Sequence, residues 1–464
     1  MIPIDVLPDD VLLGIFDFYM KMYSSLAYGS KAETEAWQLL VHVCRRWRSL
    51  VLGSPHRLNL QLYCSPKTPT KDTLDVWPAL PLIVRGNMDL TSGTDNVIAA
   101  LGQNGRVRHV FLWIHEDRQL EGVLAAMQVP FPELTDLQLF SNSNGETLPV
   151  IPDSFLDGSA PRLQYFELSG IPFPNLPNLL LSATHLAYLW LIDIPHSGYI
   201  SPEAIVALLS VLSSLRTLSL GFQSPQSRPD LENQILPPLK RSILPALDKI
   251  YFKGVTEYLE DLVTFIDAPQ LNILRITFFN QIDFDCPRLA QFINRTPTLR
   301  ARNEAHVQFH NWRASVALRY QTSMFRVDDH LQVINISCRE PDWQLSSMEQ
   351  VCNSFLHPLS TVEVLYIEHQ YSGLVWKSDA IENTLWLQLL LPFTMVKNLY
   401  LSKEFAPGIA AALVGRITEV LLSLQNIFVE GLEQSGPFQE NIKEFVAARQ
   451  LSDHPITISG WDTD

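Results

Sequence analysis

His306 and His310 stand four residues apart, the spacing with which a metalloprotease helix offers two ligands to zinc. Val307 occupies the place of the catalytic glutamate, however, and the flanking residues alternate apolar and polar as in a strand. That would set the two imidazoles about 13 Å apart. The five cysteines, Cys44, Cys64, Cys286, Cys338 and Cys352, show no short paired spacing. They therefore point to neither a zinc site nor a disulfide framework, and they suit a reducing compartment. Arg45, Arg46 and Arg48 form the only dense basic cluster and could hold phosphate, but they fall in an apolar-periodic stretch and read as a solvated helix face. No phosphate-cradling loop, Gly-x-Ser-x-Gly elbow or helix-borne cluster of carboxylates is found. The expectation is a protein with no catalytic residue, no metal and no cofactor, hence not an enzyme.

The composition agrees with that reading. Among 464 residues, 34 Lys plus Arg face 49 Asp plus Glu, a net charge of −15 that repels phosphate backbones and argues against nucleic acid as a partner. With 47% hydrophobic and 18% charged residues the chain can bury enough apolar surface to fold. The least charged stretch, 170–192, carries Pro172, Pro174 and Pro177, and a membrane-spanning helix would not. The opening residues lack a basic segment followed by an apolar one, so no secretory signal is expected and Asn294 and Asn335 read as chance sequons.

Two amphipathic stretches open the chain. Pro8 can enter a first helical turn, Asp9 and Asp10 then favour the dipole, and Val11, Leu12, Ile15, Phe16 and Tyr19 form an apolar stripe at the helical period. A second run puts Trp37, Leu40, Val41, Cys44, Trp47 and Val51 on one side, and Gly53 and Pro55 end it. Neither helix is long enough to stand alone, so their stripes must pack on each other and on something else.

From Val107 onward a different pattern recurs, with apolar residues at positions 1, 4 and 6 of each unit. It runs through Leu134/Leu137/Leu139, Leu163/Phe166/Leu168, Leu215/Leu218/Leu220 and Leu271/Leu274/Ile276 to Leu424/Ile427/Val429. Successive starts lie 23 (186 minus 163) to 34 (396 minus 362) residues apart, counting a degenerate unit at Leu299. Such a gap holds one strand and one helix or loop, the leucine-rich repeat arrangement. Segments 202–212, 380–391 and 409–424 read as those helices. Pro132, Pro161, Pro245, Pro269 and Pro297 each stand two residues before a first apolar position, where proline ends a helix and favours extended backbone. Only Asn142 fills the ninth position as such repeats usually do, so the array is expected to be irregular. Around Leu299 a bend is expected, with Ala305, Val307 and Phe309 as a shifted strand.

Leu7-Pro8-Asp9-Asp10-Val11-Leu12, Ile15-Phe16 and Val43-Cys44-Arg45-Arg46-Trp47-Arg48 with Leu50 resemble the F-box signature, over roughly residues 4 to 62. The whole layout resembles fungal F-box proteins with leucine-rich C-terminal regions. It departs from the usual pattern in a long Met20 to Glu35 connection and in having His56 and Arg57 where a tryptophan is common. The fold expected is thus α/β: a small all-α module over 1–63, a connecting segment and cap over 64–106, and an irregular leucine-rich repeat solenoid over 107–464. The resemblance implies a substrate receptor of an SCF-type cullin-RING ubiquitin ligase, cytoplasmic or nuclear. In it Leu7, Pro8, Val11, Leu12, Ile15, Val43, Cys44 and Trp47 would dock a Skp-family adaptor. Periodicity alone favours the two helices as a mere cap on the following domain, a preference that the ordered Leu-Pro and Val-Cys-Arg-Arg-Trp match reverses, and a binding scaffold with no ligase role is the other reading.

Side chains alternate along a strand, so the residue between apolar positions faces outward. That row carries Phe111, Trp113, Phe140, Trp190, Tyr251, Arg275, Tyr366, Tyr400 and Phe428, with Gln138 and Glu167 among them, and is the candidate face for a target protein. Loops are expected to cover about half of these rings.

Overall fold

The structure is a computed structural model. It describes residues 6–26, 36–67, 70–88, 93–142, 148–225, 241–300, 302–319, 332–355, 359–369, 383–414, 419–432, 437–451 and 455–461. The chain forms two compact units, Met1–Leu186 and Ala187–Asp464. Among the described residues no helix is long and apolar enough to cross a membrane.

The first unit opens with α1 (Asp9–Leu26), whose first turn is set by Pro8, its carbonyl accepting the Leu12 N–H at 3.0 Å. The second amphipathic stretch is two helices rather than the one expected, α2 (Ala36–Val43) and α3 (Arg45–Gly53). Cys44 between them is extended (φ −156°, ψ 169°) and its Sγ accepts the Trp47 N–H at 3.5 Å, so it caps the start of α3 and interrupts the run. The arginine cluster is likewise more than a solvated face. Arg46 donates to the Leu7 carbonyl at 2.6 Å and to Asp9 at 2.6 Å, and Arg48 donates to the Val41 carbonyl at 2.9 Å. These bonds pin the three helices together. Trp37 then ties them to the chain beyond α3, donating to the Gln61 carbonyl at 3.1 Å and packing edge-on against Trp77.

Five parallel strands continue this unit in sequence order: β1 (Leu62–Cys64), β2 (Leu82–Asn87), β3 (Val107–Ile114), β4 (Asp136–Ser141) and β5 (Tyr165–Ser169). The ladder thus already includes β1, which straddles the boundary expected after residue 63, and β2, within the stretch read as connector and cap. Helices such as Thr94–Leu101 and Asp117–Ala126 return the chain between strands.

In the second unit the strands are β6 (Tyr188–Ile194), β7 (Thr217–Phe222), β8 (Ser242–Ile243), β9 (Lys249–Gly254), β10 (Ile266–Asp267), β11 (Ile273–Phe278), β12 (Glu304–His310), β13 (Arg313–Arg319), β14 (Gln332–Ser337), β15 (Val364–His369), β16 (Asn398–Leu401), β17 (Asn426–Glu430) and β18 (Thr457–Trp461). β6, β7, β9 and β11 form a parallel ladder, as do β15 to β18, while β8 and β10 make a small parallel pair apart. One strand per repeat, with the 1-4-6 apolar positions buried beneath it, is a leucine-rich-repeat-like arrangement. The helices expected over 202–212 and 380–391 are Pro202–Leu209 and Asn383–Leu390, residues 380–382 lying outside the described ones. That expected over 409–424 is Ala406–Leu413 and stops early, with Leu421 in the left-handed region (φ 50°).

Backbone bonds repeat with the sequence. A single carbonyl at several strand entries accepts two N–H groups from the next strand: Arg216 takes Asp248 and Lys249 at 2.9 and 3.0 Å, and Lys397 takes Gln425 and Asn426, both at 2.9 Å. The prolines act differently from the extended breakers expected. Each is the second residue of a tight turn closed by the first apolar position, as in Leu134 N–H to the Phe131 carbonyl (3.2 Å) and Leu271 N–H to the Ala268 carbonyl (3.2 Å). The fixed φ of proline suits that position, so the turn delivers the chain into the strand.

The regular order fails where Arg302 and Glu304 replace apolar residues. Ala305, Val307 and Phe309 do form a strand, β12, but it does not lie beside β11. Instead β14 pairs with β11 in parallel, β13 runs antiparallel to both β14 and β12, and β12 pairs in parallel with β15. The Asn303 carbonyl accepts from Glu363 and Val364 (2.9 and 3.0 Å), which is the strand-entry bond of consecutive repeats carried across a hairpin.

One glycine fixes the end of β5. Gly170 has φ +68°, and a Cβ there would lie 2.4 Å from the Ser141 carbonyl oxygen. Gly170→Ala is expected to cost about 2 kcal/mol from the left-handed conformation and the close contact together, read as a lower midpoint of thermal unfolding. An unchanged midpoint would refute the constraint.

Candidate functional site

Parallel, in-register strands place equivalent residues in rows across a sheet, so the outward face is built row by row. In the first unit Arg85, Phe111, Gln138 and Glu167 are register partners in one row, and Asn87, Trp113, Phe140 and Ser169 in the next. The Arg85 guanidinium lies 4.9 Å over the Phe111 ring, and Trp113 stacks on Phe140 at 4.3 Å and 9°. Tyr165 donates its hydroxyl to Glu167 at 2.8 Å, but burial prevails and pushes that carboxyl up.

In the second unit the corresponding row holds Trp190, Ser219, Tyr251 and Arg275 on β6, β7, β9 and β11. The small Ser219 lets the rings of Trp190 and Tyr251 meet above it at 5.3 Å, and Arg275 lies 5.9 Å over Tyr251. The row continues through Val333 and Ala317 into an aromatic ladder of His306, Tyr366, Tyr400 and Phe428. Its successive ring separations are 4.3, 4.4 and 4.4 Å, at interplanar angles of 5°, 16° and 11°. Those separations are slightly less than the strand spacing of about 4.8 Å, so the rings lean together. Each such pair contributes roughly 0.5–1.5 kcal/mol beyond the area it buries. Trp461 crosses edge-on at 5.5 Å from Tyr400 and donates to the Leu401 carbonyl at 3.2 Å.

His306 anchors this ladder electrostatically. It meets Glu304 at 2.6 Å and Glu368 at 3.6 Å, and Gln308 donates to Glu368 at 2.9 Å. Burial works against the imidazolium, yet its bonds to Glu304 and Glu368 outweigh it and hold the pKa above the ordinary value. Burial also works against the Glu368 carboxylate, and its bonds with His306 and Gln308 outweigh that to hold its pKa below the ordinary value. The Tyr366 phenol is pushed up to about 12 by burial, with Glu304 next in effect.

A raised histidine pKa stabilises the fold fully below about pH 6.5, and that contribution is lost as pH rises through the folded value. A lowered glutamate pKa stabilises above about pH 4.3 and is lost as pH falls through the folded value. The contribution of this pair to the stability of the second unit should therefore be largest between those limits. In urea unfolding, the midpoint advantage of the native protein over His306→Gln should shrink between pH 6 and 8. Equal slopes in the two proteins would rule the pair out as its source.

The histidine spacing that resembled a metal helix lies on β12, as the alternation predicts. Among the described residues no group of three metal-ligating side chains occurs. Of the nine predicted face residues, Trp113 is exposed and the other eight are partly buried. The row assignment missed His306, Trp461, Glu304 and Glu368. Asn142 is exposed.

At the N-terminus the stripe read as one surface divides in two. Leu12, Leu13 and Phe16 are buried, Phe16 against Trp47 at 4.7 Å, while Val11, Ile15, Phe18 and Met22 are 42%, 43%, 70% and 44% exposed. The exposed set falls at intervals of four, three and four, a second helical stripe that the first concealed. Among the eight predicted docking residues Pro8, Val11, Ile15, Val43 and Cys44 are exposed, and Leu7 and Trp47 partly so. Leu12 has no exposed surface and belongs to the helix-packing core instead.

No family model matches this chain, and no curated protein does. Among solved structures, it is similar to the leucine-rich repeat-containing protein LegL7 from Legionella pneumophila. The match has 13% identity, covers 83% of this chain and 97% of that one, and has a TM-score of 0.27.

Proposed function

We propose that the chain is the substrate-recognition subunit of an SCF-type cullin-RING ubiquitin ligase, with α1 to α3 docking a Skp-family adaptor and the repeats holding a target protein. The observation that carries this reading is the apolar stripe Val11, Ile15, Phe18 and Met22, with Leu39 (50% exposed) and Val43 (58% exposed) on α2. Exposed apolar stripes of this kind mark an interaction site. The arrangement Leu7-Pro8 and Val43-Cys44-Arg45-Arg46-Trp47 supports an F-box as the module that presents it. The protein itself makes and breaks no bonds. It raises the effective concentration of a target lysine near a charged ubiquitin carrier.

The test is co-purification of the full chain with a Skp-family adaptor and a cullin. A chain that binds targets but captures neither is a repeat scaffold without a ligase role.

A further inference from the structure

The hairpin that breaks the repeat order also builds a recess. β13 runs against its neighbours, so the turn joining β12 to β13 stands where β14 ends and the chain passes into the helix Pro341–Ser354. Three bonds fix that turn. The Cys338 N–H donates to the Trp312 carbonyl at 3.0 Å, and the buried Gln344 side chain, in the first turn of the helix, donates to the His310 carbonyl at 2.7 Å and the Cys338 carbonyl at 2.8 Å. Beside the turn lies a recess of about 480 Å³, lined by Asn280, Trp312, Ser337, Cys338, Arg339 and Glu340. Ligand sites typically measure roughly 300–1,000 Å³.

The groups around it are not engaged elsewhere. Trp312 is 58% exposed with no ring packed on it, and Asn280, Arg339 and Glu340 are exposed with no ion pair or side-chain hydrogen bond among the described residues. Arg313 joins them as the antiparallel register partner of Ser337, which sets the two side chains next to each other on one face of the sheet. It too is exposed and makes no ion pair among the described residues.

The geometry points to a binding site for a short peptide segment in which one carboxylate side chain stands beside a flat apolar one. Arg339 and Arg313 take the carboxylate, the Asn280 amide and the Ser337 hydroxyl are further donors, and the Trp312 indole covers the flat neighbour. Two guanidinium groups against the single carboxylate of Glu340 admit one acidic side chain and disfavour a run of them. The bonds of Gln344 and Cys338 hold the walls in place beforehand, so binding has little left to order. The inference rests on the reading of the repeats as a surface that holds protein, and adds a site and a selectivity apart from the aromatic rows.

The experiment selects a random dodecapeptide library displayed on phage against the full chain and depletes it on Arg313→Ala combined with Arg339→Ala. The surviving peptides should carry a single Asp or Glu next to Phe, Tyr, Trp or Pro. Resynthesised with amidated ends and followed by fluorescence polarisation, they should bind Arg339→Ala and Trp312→Ala at least about tenfold more weakly. They should bind Glu340→Gln about threefold more tightly, a gain that damage to the fold would not produce, and circular dichroism verifies folding of each variant. Enriched peptides that bind the arginine double variant equally well, or that gain nothing from Glu340→Gln, overturn the recess and leave the repeats as a protein-binding surface. A selection that enriches no peptide overturns both.

Discussion

Ile15→Ala combined with Phe18→Ala is expected to weaken capture of a Skp-family adaptor about a hundredfold while leaving the unfolding midpoint unchanged. Both side chains expose much of their surface, 43% and 70%, so they contribute little to packing within the first unit. Covered by a partner, the two together would contribute about 3 kcal/mol of apolar burial, which is about two decades in affinity. Isothermal titration with purified adaptor measures it. Leu12→Ala makes the complementary control, because that residue is wholly buried and its loss should lower stability first. Undiminished binding by the double variant would remove the helical stripe from the docking surface.

The second large effect concerns a carboxylate that caps a helix of the neighbouring repeat. Glu260, in the helix Thr256–Thr264, accepts the N–H groups of Arg288 at 2.8 Å and Leu289 at 2.7 Å. These open the helix Pro287–Arg295, whose first residue is a proline without an N–H. Burial pushes the Glu260 carboxyl up, and the two bonds offset part of that. Glu260→Ala leaves the Leu289 donor unpaired in a buried place, at roughly 1–3 kcal/mol, and the Arg288 donor in a part-buried one at the low end of that range, so a loss of about 3 kcal/mol is expected in denaturant unfolding of the second unit. Glu260→Gln keeps a neutral acceptor and should recover about half. A loss under about 1 kcal/mol for the alanine variant would show that water serves those donors equally well.

Much of the array is legible because each repeat reports its inward positions directly. Leu218 and Leu220 alternate with Thr217 and Ser219, and a two-residue period has one structural meaning. The Pro-x-Leu spacing was visible too, although its role as a turn emerges only from the Leu134 to Phe131 bond. What escaped depends on partners distant in sequence. Tyr366, Tyr400 and Phe428 could be named as outward rings, but His306 joins them only because β12 lies beside β15. No local pattern encodes that placement. At the N-terminus a denser stripe hid a sparser one, and the helix break at Cys44 carries neither proline nor glycine to mark it. The residues proposed for docking were therefore half visible: Val11 and Ile15 by pattern and resemblance, Phe18 and Met22 only through their exposure.

The displaced hairpin bears on how the polypeptide is made. When residue 278 leaves the ribosome, the free edge of β11 must wait for β14, which ends at Ser337. At roughly 5–20 residues per second that interval lasts seconds. During it β12 emerges, running in the same direction that β14 will take, and can occupy the vacancy as a decoy. Maturation then requires its eviction, so refolding of the second unit should carry a slow phase that the first, assembled strictly in order, lacks.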